Sequence, residues 1–241
     1  MIQGSAIDAI ATSVATRRPG LFASKAEKAF HRALADRDSD ALEQVAAAGG
    51  RCALAANTLL AITAPAEDRA GLERRARALH AALEAGDPAT DPLLRKYTPG
   101  LVVFVPVTAQ VSAEISMSRE GLALLYVEML QELDRLDDAA AYVAALPRNE
   151  VSALSLAELW VALERWDDVI GLTTGVENTD DFTALMLVYR GIAFRAQGHY
   201  DAAREAFRAA LRSKKRNPTI RHLGLFARAQ CSVEQRRIAA A

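Results

Sequence analysis

Two acidic doublets, Asp137–Asp138 and Asp167–Asp168, are the residues of this chain whose type and spacing most invite a chemical reading. Adjacent carboxylates can hold a divalent cation, or divide acid and base duties when a shared site drives their pKa values apart. A third doublet, Asp180–Asp181, follows Asn178 and Thr179. All three stand where a helix is expected to begin. Negative charge there meets the positive helix end, worth about 0.3–1 kcal/mol, or supplies the cap itself, so helix starts account for the doublets without a metal. The histidines His31, His80, His199 and His222 are scattered, and only Glu27 with His31 has a same-face spacing, read as a surface pair. Cys52 and Cys231 lie far apart, with no nearby histidine suited to activating a thiol and no zinc-ligand spacing. No glycine-rich phosphate loop or nucleophile elbow occurs. Met117, Met129 and Met186 sit among core-type residues and read as packing. The sequence therefore predicts a chain that does no chemistry and uses neither metal nor cofactor.

The elements that carry these residues are mostly helical. In 241 residues, of which 51% are apolar, there is material for one large or two small domains with an ample core. Ala, Leu, Arg and Glu fill the segments between Gly, Pro and Asp breaks. In the first third their spacing predicts helices over 5–16, 23–37, 39–48, 51–62 and 65–85. Pro65 suits a first helical turn, and Ser39 or Asp38 suits a cap. The segment 86–99 carries three prolines and one glycine, with Gly100 next, and is expected to be a linker rather than a continuous helix. Val103, Val105, Val107, Ala109, Val111, Ala113, Ile115 and Met117 then alternate with mostly polar residues, a period of two that means strand. Fifteen residues is long for one strand and Pro106 lacks a donor, so a β-hairpin or bent edge strand is expected at about 101–117. Three regions follow: 1–86 helical, 87–118 linker and hairpin, and 119–241.

From Glu120 onward the chain repeats itself. In 184–218 a helix carrying Leu187, Gly191 and Phe194 breaks at Gly198, and a second helix carries Tyr200, Ala203, Phe207, Ala210 and Leu211. Upstream, Trp166 falls where Tyr200 sits, Val169 at Ala203 and Trp160 at Phe194; further upstream Leu136, Ala139, Val143 and Leu130 take corresponding places. The turn positions Leu136, Trp166 and Tyr200 are 30 and 34 residues apart. Asp134 and Glu164 stand where the third unit has its turn glycine. The residues of 121–218 resemble the tetratricopeptide repeat family, with 219–237 resembling the first helix of a fourth unit that acts as a cap. The resemblance implies a mainly α fold, a solenoid of antiparallel helix pairs, each burying its apolar stripe by stacking on the next. The helix pairs before Gly86 read as diverged repeats or another α-solenoid.

The resemblance also implies where a partner binds: a concave groove lined by the first helix of each unit. Its residues would be Leu124, Glu128, Gln131 and Glu132, then Leu154, Glu158 and Val161, then Val188, Ile192 and Arg195, with Tyr189 beside them. Lys and Asn that grip a terminal carboxylate in some members are absent here. The glutamates favour a basic or amphipathic segment of a protein partner, or are simply solvated.

Charge supplies two alternatives. The totals nearly cancel, 29 Lys and Arg against 30 Asp and Glu, yet 114–181 holds 15 acids and 4 bases while 204–241 holds 10 bases and 2 acids. The run with Arg212, Lys214, Lys215, Arg216 and Arg221 could track nucleic-acid phosphates, although no aromatic stacking platform lies beside it and a helix C-terminus attracts bases anyway. Opposite poles could also join copies head to tail as a homo-oligomer. No apolar run approaches the roughly 20 residues of a membrane span. Arg17 and Arg18 follow the weak apolar stretch of the N-terminus, the reverse of a secretory signal, and two isolated cysteines suit a reducing compartment. A cytoplasmic protein is expected, and the Ala- and Arg-rich composition hints at a bacterial source.

Overall fold

The computed structural model describes residue 10 and residues 13–63, 68–99, 102–108, 111–213 and 215–240, without the side chains of 102–116 and 237–240. Most of the expected helix starting at 5 and the expected start at Pro65 lie outside the described residues. By its internal contacts the chain divides into two compact units, Met1–Pro106 with Ala113–Arg135, and Val107–Ser112 with Leu136–Ala241.

The first unit contains α1 (Lys25–Asp36), α2 (Ser39–Ala47), α3 (Ala53–Thr63), α4 (Arg69–Ala85), α5 (Pro92–Tyr97) and α6 (Arg119–Glu132). Each start has a local cause. Ser24 caps α1 through the Glu27 N–H, Asp38 caps α2 through Ala41, Asp68 caps α4 through Gly71, and Ser118 caps α6 through Gly121. Successive helices pack in pairs, α1 on α2, α2 on α3 and α3 on α4, and α6 lies against α4. That last contact is why the compact unit runs through to Arg135 instead of ending near 86 or 118.

The expected linker over 86–99 is instead part of the core. Asp91 caps α5 with bonds from the Leu93 and Leu94 N–H groups, Pro92 takes the first helical position, and Leu94 and Tyr97 are 1% and 0% exposed. Tyr97 meets the Phe30 ring edge-on at 5.7 Å, and the Lys96 backbone carbonyl accepts a bond from the Arg17 guanidinium at 2.6 Å. The prolines end one helix and start another; they do not free the chain. Glu27 pairs with Lys96 at 3.0 Å rather than with His31, whose Nε2 bonds the Val14 carbonyl at 3.2 Å.

Where the sequence alternates, β1 (Val102–Thr108) and β2 (Val111–Ser116) form a two-stranded sheet.

The second unit contains α7 (Leu136–Ala144), α8 (Glu150–Ala162), α9 (Trp166–Thr173), α10 (Asp181–Ala196), α11 (Tyr200–Ala210) and α12 (Pro218–Ala240). Asn149 and Asp180 close capping boxes with Ser152 and Thr183 at the starts of α8 and α10. Here α10 packs on α8 and α12 as well as on α9 and α11. First helices therefore neighbour first helices, and each also touches the second helices beside it, as a stacked repeat requires.

Candidate partner-binding groove

The turn between the two helices of each unit fixes which side chains face which way. Asp134, Glu164 and Gly198 all adopt the left-handed conformation, with φ of 60°, 56° and 78°. In each turn the next residue's N–H reaches back to the carbonyl five residues earlier: Arg135 to Leu130, Arg165 to Trp160 and His199 to Phe194, all at 2.8 Å. That pair of features is the Schellman stop, which satisfies carbonyls left open at a helix end. Arg37, with φ of 55°, makes the same turn, Asp38 bonding Ala33 at 2.9 Å. The turn between α1 and α2 thus has the form of the turns in the C-terminal repeats although its residues do not resemble theirs.

Counting from these turns, Leu136, Trp166 and Tyr200 are each the first residue of a second helix and each half-buried. Three residues further, Ala139, Val169 and Ala203 are all fully buried. Seven residues before each turn stand Val127, Ala157 and Gly191, buried or closely packed in the first helix. The next residue along is therefore equivalent in every unit: Glu128, Glu158, Ile192 and, on α12, Leu225.

These expected groove residues meet different fates. In the first unit, Glu128 on α6 is half-buried, Oε2 having no hydrogen-bond partner among the described residues. Burial first, and then the nearby Glu132 charge, push its pKa up from 4.5 to about 7, with Arg75 on α4 opposing. Arg75 is itself desolvated and donates from Nε to the Ala61 carbonyl at 2.5 Å. Gln131 is partly exposed, Glu132 is exposed, and Leu124 is buried. In the second unit, the Tyr189 hydroxyl donates to Glu158 Oε1 at 3.2 Å. Tyr189 is 4% exposed, so it orients the carboxylate and presents no surface of its own. Arg195 donates to Gln230 Oε1 at 2.5 Å and lies 3.8 Å from Glu234, which fastens α10 to α12. Leu154 and Val188 are core residues at 0% exposure, whereas Val161 and Ile192 are partly open and Leu225 is 44% exposed. Leu225 escaped sequence reasoning because register was counted from the turns; the signal on α12 was Gly224, 33 residues after Gly191.

The basic run is not one patch. Arg216 donates from Nε to Asn178 Oδ1 at 2.7 Å and from a terminal nitrogen to the Asn178 carbonyl at 3.2 Å. Asn178 in turn donates to the carbonyls of Ala209 and Ala210, both at 2.8 Å, capping the end of α11. Arg212 and Lys215 are exposed, Arg221 is partly buried, and Lys214 lies outside the described residues.

The doublets sit in the first turns of α7 and α9, where the helix dipole favours them, and Asp180 caps α10. Asp168 pairs with Arg165 at 2.7 Å, and Asp167 accepts from Gln197 at 2.7 Å. Among the described residues no cluster of His, Cys, Asp and Glu is arranged to hold a metal. Both thiols are buried, and desolvation pushes the pKa of Cys52 and of Cys231 up, away from nucleophilic thiolate. No described helix is long and apolar enough to cross a membrane.

No protein-family model and no curated protein matches the chain. Among solved structures, the N-terminal domain of the EccA1 ATPase from the ESX-1 secretion system of Mycobacterium tuberculosis is similar to it. The likeness covers 99% of this chain and 82% of that one, with 14% sequence identity and a TM-score of 0.54. At that identity the similarity is one of fold.

Proposed function

We propose that the chain is a tetratricopeptide-like, non-catalytic adaptor of the cytoplasm that holds an amphipathic segment of a partner protein along its first helices. The observation that carries this reading is the row Glu158, Ile192 and Leu225, one equivalent position on three first helices packed side by side. Such a row gives a carboxylate at one end and apolar side chains beyond it, which suits a segment with a basic residue followed by apolar ones. Tyr189 holds Glu158 in place before binding, which lowers the ordering cost of the complex. The helical fold likeness to a domain of a secretion-system ATPase is consistent with an adaptor and extends to fold only.

The test is recovery of partners on the immobilised chain, followed by quantitative binding to wild type, Glu158→Lys and Ile192→Arg. Both positions are partly exposed, so the fold should survive. A partner lost by both variants, with unchanged helical melting, supports the groove; a partner retained by both removes it. The nucleic-acid alternative now rests on fewer bases, since Arg216 is committed to Asn178. Binding to generic duplex with a steep salt slope would revive it.

A further inference from the structure

Val14 and Phe30 are buried, and the chain between them leaves the core. There the Ala23 N–H bonds the Gly20 carbonyl at 3.0 Å, closing a β-turn whose two corner residues are Leu21 and Phe22. These corners are 88% and 97% exposed, whereas Phe226, the next most open large apolar residue described, is 62% exposed. Turn corners ordinarily take Gly, Pro, Asn, Asp or Ser, residues that suit the backbone there and keep company with water. Leu21 and Phe22 are neither turn formers nor packed. A local rule broken without a packing gain marks a surface kept for contact.

The turn is tied down on both sides. Before it, the Arg17 guanidinium donates to the Lys96 carbonyl at 2.6 Å; after it, Ser24 caps α1. The charge around it is one-sided. Residues 15–32 hold five Lys and Arg against one acid, Glu27, which Lys96 engages at 3.0 Å. Arg18 stands three residues before Leu21 and Lys25 three residues after Phe22, and both are exposed. On α1, exposed Lys25, Lys28 and Arg32 share one face by helical spacing, opposite the face that buries Phe30, Ala33 and Leu34. Asp36, the next acid after Glu27, lies about 16 Å from Lys25 along the helix axis at 1.5 Å per residue, beyond the screening length of about 8 Å at physiological salt. The positive field at the turn is therefore not cancelled.

We propose that this turn is a peripheral contact with an anionic membrane surface: Leu21 and Phe22 enter the boundary between headgroups and acyl chains, while Arg18, Lys25 and Lys28 meet lipid phosphates. The combination of features selects the occupant. A lipid interface accepts an exposed apolar tip of any shape and surrounds it with a continuous layer of negative charge, so one surface serves both the corners and the bases beside them. A protein partner would need an apolar pocket rimmed with acids and shaped to this turn. Nothing crosses the bilayer; the hold is on one leaflet and reversible. It uses neither Glu158 nor Ile192, so the groove proposed for partners stands or falls separately.

Flotation with vesicles gives the test. Wild type should rise with vesicles of phosphatidylglycerol and phosphatidylcholine in equal parts, stay behind with phosphatidylcholine alone, and be released as salt is raised. Leu21→Ser with Phe22→Ser should weaken binding to the mixed vesicles by about tenfold or more, and so should Lys25→Glu with Lys28→Glu. All four positions are exposed, so helical melting should be unchanged. Phe22→Cys carrying an environment-sensitive fluorophore reads insertion directly, the native thiols being buried, and its emission should shift to the blue on the mixed vesicles. No binding to the mixed vesicles, binding that survives the serine pair, or a label that stays in water would each overturn the proposal. So would a protein captured through Leu21 and Phe22 in place of the vesicles.

Discussion

The repeats α8–α9 and α10–α11 reach one geometry with unlike residues. At the crossing of the two helices the first repeat has Ala157 and Thr173, and the second has Gly191 and Phe207, all closely packed. A Cβ on Gly191 would lie 2.4 Å from Cε1 of the Phe207 ring, so the missing methyl is what admits the ring. Thr173 takes less room and turns its hydroxyl to the Val169 carbonyl at 2.7 Å, leaving no unmet polar group. The two crossings are filled by different pairs, a methyl with a threonine in one and a bare glycine with a phenyl ring in the other.

The largest expected effect breaks the second of these pairs. Gly191→Ala should destabilise by about 1–3 kcal/mol through overpacking, read as a lower midpoint in urea unfolding. The equivalent residue in the other repeat, Ala157, already carries that methyl and is fully buried. Phe207→Thr in the Gly191→Ala background copies the other repeat, and the pair should cost less than the sum of the singles by about 0.5–3 kcal/mol. Strict additivity would mean the two positions do not share space.

A second difference is a clamp. The α10–α11 repeat has Asn178 tying the end of α11 to the loop before α10, with Arg216 gripping the same amide. Asn178→Ala should cost about 1–3 kcal/mol, since two helix-end carbonyls and a guanidinium lose their partner together. Arg216→Ala should cost less, because the Asn178 bonds to Ala209 and Ala210 survive it. Equal losses would show that the guanidinium, and not the amide, holds the loop.

The contrast between these repeats also explains what could be read in advance. The α10–α11 unit declares itself through Gly191, Gly198, Tyr200 and Phe207, and through it the positions of Trp166 and Leu136 follow. The helix starts at Asp38 and Asp180 were equally legible, because such caps act on neighbours a few residues away, whereas Asp68 was read as lying inside the helix that it caps. The α1–α2 turn was hidden, since Arg37 carries no composition signal for a left-handed residue. The role of 86–99 was hidden for a different reason: prolines mark where a helix cannot continue, while burial of Tyr97 depends on Phe30, far away in sequence. Groove glutamates were located by repeat position, yet their partners, Arg75 near Glu128 and Tyr189 on Glu158, come from other helices and leave no spacing to find.

Those two glutamates sharpen the comparison through pH. Glu158 accepts a bond from a tyrosine, whereas Glu128 is pressed into α4 beside Glu132. The folded state holds the Glu128 proton up to about pH 7, and the unfolded state releases it near 4.5. Across that window the native form binds more protons, so stability contributed by this group is greatest below 4.5 and is lost as pH rises to about 7. Denaturant midpoints taken between pH 4.5 and 7.5 should fall with pH in wild type, and Glu128→Gln should flatten that slope. Glu158→Gln should leave it in place. An identical slope in all three proteins would assign the pH dependence elsewhere.

The smallest effect returns to the turn. Glu164 and Asp134 adopt a φ that costs an ordinary residue about 1 kcal/mol and glycine almost nothing, while Gly198 already avoids the cost. Glu164→Gly should therefore stabilise by about 0.5–1 kcal/mol, less whatever glycine gives up in unfolded-state entropy, and Gly198→Ala should destabilise by a similar amount. Opposite signs at equivalent positions, measured by thermal melting, would establish that both turns have the same shape and differ only in the residue that adopts it. Two losses would mean that the Glu164 side chain contributes an interaction worth more than the strain it bears, and that the α8–α9 turn is held by its residue rather than by the Schellman bonds from Arg165 and Glu164 to the end of α8.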